Sequence, residues 1–550
     1  MREKYDVKYD VKYDVKYDVL KKYFGYDSFR NGQESVIDAV LSGRDVFGIM
    51  PTGAGKSMCY QIPALMLSGI TLVISPLISL MKDQVAALNQ AGVYAAYLNS
   101  SLTQGQYFKA LDFAKGGKYK IIYVAPERLL TESFLSFALN ADISFISVDE
   151  VHCVSQWGQD FRPSYLKIVD FVQQLKKRPV IGAFTATATA EVRNDVVKIL
   201  QLKDPKIVTT GFDRTNLSFF VKHAKDRKTA LFQILREHYD ESGIIYCITR
   251  KLVEEVYGML TERGIEAAKY HAGMTDEERV RNQDTFTSDR ARIMVATNAF
   301  GMGIDKPDVR FVIHYNMPKN MESYYQEAGR AGRDGEKSAC YLIYNPQDVH
   351  TNRYFIENNR ENDELSEAQL EQVLEKDRER LKQMTFYCHT RYCYRKYMLN
   401  YFGEKAEGFC GNCGNCLKKL AADEYQEQLD RYPSYHAKVK LRKPQPVKRR
   451  SSENPGLYDS LRLLRNSIAK QSGVPAYVIF TDKTIKEMSM YLPQNREQLM
   501  QISGVGEAKY EKYGSEFLAE IRRYRSEEQI GEIAVKAHAK IQFPVNDSEK

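Results

Sequence analysis

Val46 to Met50 is a short apolar run that leads directly into Pro51-Thr52-Gly53-Ala54-Gly55-Lys56-Ser57. A buried strand, a Gly-rich turn and a helix opening at Lys-Ser together make the arrangement by which an α/β sheet cradles nucleotide phosphates. Thr52, Gly53 and Gly55 form the turn, and the two glycines let successive backbone N–H groups converge without a Cβ in the way. Lys56 is placed to reach the β- and γ-phosphates, and the Ser57 hydroxyl to hold Mg²⁺. Met50 stands where a first Gly is often found. This one stretch points to a nucleotide-hydrolysing α/β protein.

A chain of 550 residues is too long for one core, so several domains are expected. The net charge of +8, from 79 Lys and Arg against 71 Asp and Glu, does not by itself demand a nucleic-acid partner. No apolar run reaches the ~18 residues of a membrane span. The charged N-terminus lacks an apolar signal core, so a cytoplasmic location is expected. Nine cysteines then suggest reduced thiols or a metal rather than disulfides.

Residues 4–19 are four copies of Lys-Tyr-Asp-Val, compatible with a strand or a drifting helix stripe, and read as an appendage that extends the first helix or is disordered. Apolar runs at 71–75, 120–124, 145–148 and 180–184 alternate with helical patterns, which predicts a parallel sheet. A second series at 243–248, 267–270, 292–296 and 311–314 predicts another, with a linker near 213–228.

Upstream of the turn, Gln33 carries an amide able to bond both edges of adenine, and Tyr26 a ring able to stack on the base. Asp149-Glu150 ends an apolar strand, placing Asp149 to hold Mg²⁺ through water and Glu150 to orient the attacking water. The plain alternative is a helix N-cap. His152 either passes a hydrogen bond from the nucleotide to a neighbouring loop or is a structural His. The loop Gln156-Trp157-Gly158-Gln159-Asp160-Phe161-Arg162, with the chain's one Trp, suits base stacking and phosphate contact; a packed aromatic loop is the alternative. Thr185 and Thr187 end another strand and suit a link between nucleotide state and polynucleotide grip. Gln326 precedes Arg330 and Arg333, which are expected on one helix face, with Gly329 and Gly332 allowing close backbone approach. Such arginines stabilise transition-state charge when a cleft closes. Gly303 and Asp305 lie after a strand, facing the same cleft.

Cys393, Cys410, Cys413 and Cys416 follow C-x₁₆-C-x₂-C-x₂-C, a spacing that wraps a closed, structural Zn²⁺. Cys388 is read as lying outside this set, and Cys59, Cys153, Cys247 and Cys340 as core thiols.

From about Leu20 to Cys416 these motifs, with Ser323-Tyr-Tyr-Gln-Glu-Ala-Gly-Arg-Ala-Gly-Arg-Asp334, resemble the RecQ family of superfamily 2 DNA helicases. Val151 stands where the family usually has Ala, and Gln159 where it commonly has His. The resemblance implies two tandem RecA-like domains and adenine reading by Tyr26, Arg30 and Gln33. It further implies DNA coupling through His152, Gln156, Trp157, Asp160, Phe161 and Arg162. Fewer than forty residues separate Cys416 from Asn454, which leaves no room for the family's winged-helix domain. They hold instead seven cations and no acid between 437 and 450, a phosphate-binding tether or a merely soluble linker. Residues 454–524 resemble the helicase-and-RNase-D C-terminal (HRDC) domain, whose Gly504-Val505-Gly506 turn either presents N–H groups to a DNA phosphate or is purely structural.

The expected architecture is α/β: appendage 1–19, RecA-like ATPase domain 20–212, second RecA-like domain 213–345, helical zinc-binding module 346–420, basic linker 421–453, all-α HRDC-like domain 454–525 and tail 526–550. The expected activity is ATP-, Mg²⁺- and Zn²⁺-dependent DNA unwinding, 3′ to 5′, in recombination and repair at the nucleoid. Expected partners are single-stranded and tailed or forked DNA, with single-strand-binding protein and other repair factors. A DNA-stimulated translocase or annealing factor, a zinc-stabilised DNA-binding scaffold and an RNA helicase are the rival readings.

Overall fold

The computed structural model describes residues 15–155, 161–300, 306–358, 367–406, 408–431 and 454–527. The repeat up to Asp14, the basic stretch 437–450 and the tail beyond 527 lie outside them. The last repeat copy is helical and runs into Leu20–Phe24, so here the repeat does extend the first helix. It is docked: Lys16 Nζ lies 2.6 Å from Asp38 and 2.9 Å from Glu34, and the Tyr17 ring packs 5.0 Å from Phe29.

The first sheet has seven strands: β1 (Val46–Ile49), β2 (Ile70–Ile74), β3 (Ala95–Leu98), β4 (Ile121–Val124), β5 (Ile143–Val148), β6 (Val180–Thr185) and β7 (Lys206–Thr209). Their order is β3-β4-β2-β5-β6-β1-β7, every pair parallel. With helices covering both faces, the central strands are buried throughout, which is why they read as continuous apolar runs. The C-terminal ends of β1, β5 and β6 come together, bringing residues 50–57, 149–150 and 185–187 to one edge.

The second sheet has six: β8 (Leu217–His223), β9 (Gly243–Tyr246), β10 (Ala267–Tyr270), β11 (Ile293–Ala296), β12 (Phe311–His314) and β13 (Ser338–Tyr344), in the order β10-β11-β9-β12-β13-β8. β8 corrects the expected linker at 213–228. Leu217, Phe219 and Val221 alternate into the core, and the strand pairs with β13 over seven residues.

A helical region follows, with Glu367–His389, Tyr394–Tyr401 and Gly414–Arg431. The last helix runs well past residue 420, where the linker was expected to begin. Its sequence there (Ala421, Ala422, Glu424, Gln426) holds helix formers and neither Gly nor Pro. The C-terminal domain is all helical, from Pro455–Ser472 to Ser515–Glu527, around Leu457, Leu461, Phe480, Ile485, Met488 and Phe517. No helix among the described residues is long and apolar enough to cross a membrane.

Candidate functional site

After β1 the chain turns through Gly53 and Gly55, both left-handed at φ +84° and +81°, a conformation side chains disfavour. A Cβ on Gly55 would also lie 2.5 Å from Gln33 Nε2. Gln33 is buried behind the turn: its amide donates to the Gly55 and Ala54 carbonyls at 2.9 and 3.2 Å, and its Oε1 accepts from the Arg30 N–H at 2.7 Å. Arg30 donates to the Gly53 carbonyl at 2.5 Å. Tyr26 and Arg30 line the adjoining cavity, of about 340 Å³, together with Thr52, Lys56 and Ser57. Gln33 thus shapes the turn in this structure, while Tyr26 and Arg30 face the ligand space.

β5 delivers Asp149 and Glu150 to that cavity. The Asp149 N–H is fixed to the Ile74 carbonyl at 2.8 Å, and its carbonyl accepts from Tyr165 Oη at 2.9 Å. Glu150 holds a left-handed φ of +47°, strain of the kind stored at functional sites. Its carboxylate lies 3.8 Å from Lys56 Nζ and 3.3 Å from His152 Nδ1. Burial pushes the Glu150 pKa up, but the charges of Lys56, His152, Arg330 and Arg333 outweigh it and hold the group below its usual range. Asp149 moves the other way, to about 6, through burial and then the charge of Glu150. Two adjacent carboxylates are therefore driven apart, the pattern of sites that divide charge-holding from proton handling. His152 Nδ1 also sits 2.9 Å from Thr185 Oγ1, which donates to the Thr187 carbonyl, so the acids and the end of β6 share one hydrogen-bonded chain.

The raised Asp149 pKa has a consequence for stability. Between about pH 4 and 6 the folded protein holds a proton there that the unfolded chain has released, so stability falls as pH rises through that window. Asp149→Asn should therefore raise the melting temperature of the nucleotide-free protein at neutral pH by a few degrees while abolishing turnover. Thermal melts at pH 4 and pH 7 check it, the gain being confined to the higher pH.

Gln326 lies on the helix Met321–Ala328 and lines the same cavity with Arg330 and Arg333. The arginines are not on a helix face, as the spacing suggested. The helix ends at Ala328, and Gly332 at φ +55° turns the chain, so both lie in the turns that follow. Close backbone approach is nonetheless what the glycines provide: a Cβ on Gly329 would stand 3.3 Å from Thr52 Cβ. Arg214, which no local motif marks, joins the two sides. Its guanidinium donates to the Thr52 carbonyl on one domain and to Ala331 and Gly332 on the other, at 3.0 and 2.8 Å. Phe161 and Arg162 are half-buried beside this edge, the Arg162 N–H bonding the Cys153 carbonyl at 2.9 Å. Gln156, Trp157, Asp160, Gly303 and Asp305 lie outside the described residues.

The Sγ atoms of Cys393, Cys410, Cys413 and Cys416 all lie within 4.8 Å of one another, with pairs at 3.8 and 3.9 Å. A tetrahedral zinc with Zn–S near 2.3 Å requires S···S edges of about 3.8 Å, so the four thiols fit the ion. Asn412 ties this cluster to β8 through Ser218, at 2.7 Å. Bound there, zinc supplies folding energy to a small helical module, and the closed ligand set gives it no open position for catalysis. Cys413→Ser is expected to cut zinc content from one ion per chain to near zero and to melt the module first. Metal analysis and thermal unfolding read both.

Two parallel-sheet RecA-like domains, one carrying a phosphate loop and acids and the other paired arginines, define a helicase motor. The family models for the DEAD/DEAH box helicases match residues 30–196, the helicase conserved C-terminal domain 226–335, RecQ zinc-binding 346–417 and the HRDC domain 454–521. The ATP-dependent DNA helicase RecQ of Bacillus subtilis is 39% identical over 588 residues, covering 92% of this chain and 98% of the relative. That of Haemophilus influenzae is 35% identical, covering 92% and 96%. Among solved structures, Mss116p bound to single-stranded RNA and AMP-PNP superposes with a TM-score of 0.51 at 17% identity, over 74% of this chain and 91% of that one, a likeness of fold. The chain belongs to the RecQ family and is an ATP-hydrolysing helicase.

Proposed function

We propose that this enzyme is a DNA helicase that moves 3′ to 5′ along a single strand and separates duplexes in recombination and repair. The observation that carries the site reading is electrostatic: Glu150 of the first domain feels Arg330 and Arg333 of the second across one cavity. ATP occupies that cavity, Tyr26 and Arg30 at its base end and Lys56 with the Gly53–Gly55 amides at its phosphates. Ser57 and Asp149 would hold Mg²⁺, which supplies charge neutralisation at the phosphates. Glu150 orients the attacking water, Gln326 lines the site, and the arginines stabilise charge as the domains close. Gly303 and Asp305 are assigned to the same cleft. His152 carries the nucleotide state toward Thr185, and the loop from Gln156 through Trp157 and Asp160 to Phe161 and Arg162 couples it to DNA. The proposed partition into domains is the one given from sequence, with the zinc module's helix continued to Arg431.

Single-stranded, tailed and forked DNA are the proposed substrates, single-strand-binding protein and repair factors the partners, and the nucleoid the location. A second reading, translocation or annealing with little unwinding, is favoured by the short segment between Cys416 and Asn454. An alignment of 588 residues exceeds the chain's own 550, so the Bacillus relative carries stretches this chain lacks. Directional movement is tested by streptavidin displacement. ATP-driven release from the 5′ end of a single strand, and not from the 3′ end, is expected; release from the 3′ end alone would contradict the polarity.

A further inference from the structure

The all-α domain lies across the mouth of the nucleotide cleft and touches both RecA-like domains. Toward the second, the contact is a buried ion network. Arg465, 1% exposed, lies 2.8 Å from Asp482 of its own domain and 3.8 Å from Asp289 across the interface. Lys306 joins Asp289 and Asp308 at 2.6 and 3.0 Å, and outside this buried set the partly exposed pair Lys486 and Glu336 meets at 3.2 Å. Removing one partner from charges this deep strands the rest, which makes the network a firm anchor.

Toward the first domain the contact is made by close backbone approach and by hydrogen bonds to Gln90. The Gly504 N–H donates to the Gly25 carbonyl at 3.1 Å, and a Cβ on Gly506 would lie 3.0 Å from the Tyr23 carbonyl. Tyr513 Oη bonds Gln90 at 2.7 Å. The Gly504–Gly506 turn, one reading of which gave it to a DNA phosphate, is thus packed against residues just before Tyr26.

That turn leads into Glu507–Lys509, and Lys509 lines the same cavity as Lys56, Asp149 and Arg333, with Tyr477 and Thr481 beside it. Among the described residues no carboxylate lies within ion-pair distance of it; its neighbour is the Phe480 ring, 5.9 Å away. Burial alone draws its pKa down to about 8. Lys306 and Arg465, anchored by acids, show the contrast. A half-buried ammonium with no ion-pair partner among the described residues, facing a cavity that receives a polyphosphate, is suited to an anionic ligand.

We propose that the HRDC-like domain forms a third wall of the nucleotide site, with Lys509 a nucleotide-binding residue that pairs with the phosphates of ATP held at Lys56. The proposal rests on the assignment of ATP to that cavity. Lys509 thus lines the cavity from a third element, beside Lys56 of the first RecA-like domain and Arg330 and Arg333 of the second.

The test is DNA-stimulated ATP turnover by the full-length protein. Lys509→Ala should raise the KM for ATP by about five- to tenfold, the effect of one charge-assisted contact, and by more than any fall in kcat. Lys509→Arg should restore a near wild-type KM. Lys512→Ala, which loses a contact to Gln90 at the same interface outside the cavity, should leave KM unchanged. An unchanged KM in Lys509→Ala, or an equal rise in Lys512→Ala, would overturn the proposal while leaving the ATP site intact. Full turnover by Lys56→Ala would instead remove the site on which it rests.

Discussion

Glu150→Gln is expected to lower DNA-stimulated ATP turnover by roughly 10²- to 10⁴-fold, the span of a positioned general base. The carboxylate is buried, a circumstance that alone would favour its protonated form, yet Lys56 and His152 of the first domain and Arg330 and Arg333 of the second keep it ionised. Gln preserves the shape and can occupy the same left-handed backbone at φ +47° no less readily than Glu. What it loses is the charge that draws a proton from water. Lys56, Ser57 and the Gly53–Gly55 turn are untouched, so the KM for ATP should move far less than kcat. Steady-state kinetics separate the two. Turnover retained within a few fold would remove Glu150 from the chemistry.

Loss of an arginine should cost as much or more. Arg330→Ala and Arg333→Ala are each expected to reduce kcat by roughly 10³- to 10⁵-fold, the range for an arginine that meets developing phosphate charge. Both line the cavity from the second domain, whereas the phosphate turn and both acids belong to the first. Nucleotide should therefore still bind, and a fluorescent ATP analogue should show affinity within about tenfold of wild type while hydrolysis stops. If both variants bound the analogue and turned over ATP normally, the arginines would be structural. Arg214, which fastens the phosphate turn to the Ala331 and Gly332 carbonyls, would then be the stronger candidate for coupling the domains.

The parts of this site that could be read from sequence are those whose chemistry needs neighbours in the chain. Gly53, Gly55, Lys56 and Ser57 must be contiguous to wrap a phosphate, and Asp149 must precede Glu150 on one strand end. The cysteines of the 410–416 run must be close to share an ion. The parts that could not be read join distant positions. Arg214 reaches Thr52 and Gly332 only after both sheets have formed, and nothing local marks it. Its neighbour β8 was hidden because a seven-residue alternation beside an interdomain crossing looks like a linker until β13 pairs with it. The placement of Arg330 and Arg333 was legible in direction but not in form, because Gly329 and Gly332 end the helix their spacing implied. The docking of the C-terminal domain depends on Gly25 meeting Gly504, nearly the whole chain apart, so its turn could be read only as a generic anion site or a purely structural turn.

This two-domain cleft is expected to drive strand separation although little chain is available for a wedge between Cys416 and Asn454. Duplexes with a 3′ or a 5′ single-stranded tail, with ATP consumption followed in the same reactions, test it most directly. Separation of the 3′-tailed duplex alone, dependent on ATP and lost in Glu150→Gln, is the predicted result. DNA-stimulated hydrolysis without separation of either duplex would contradict it and make the protein a translocase.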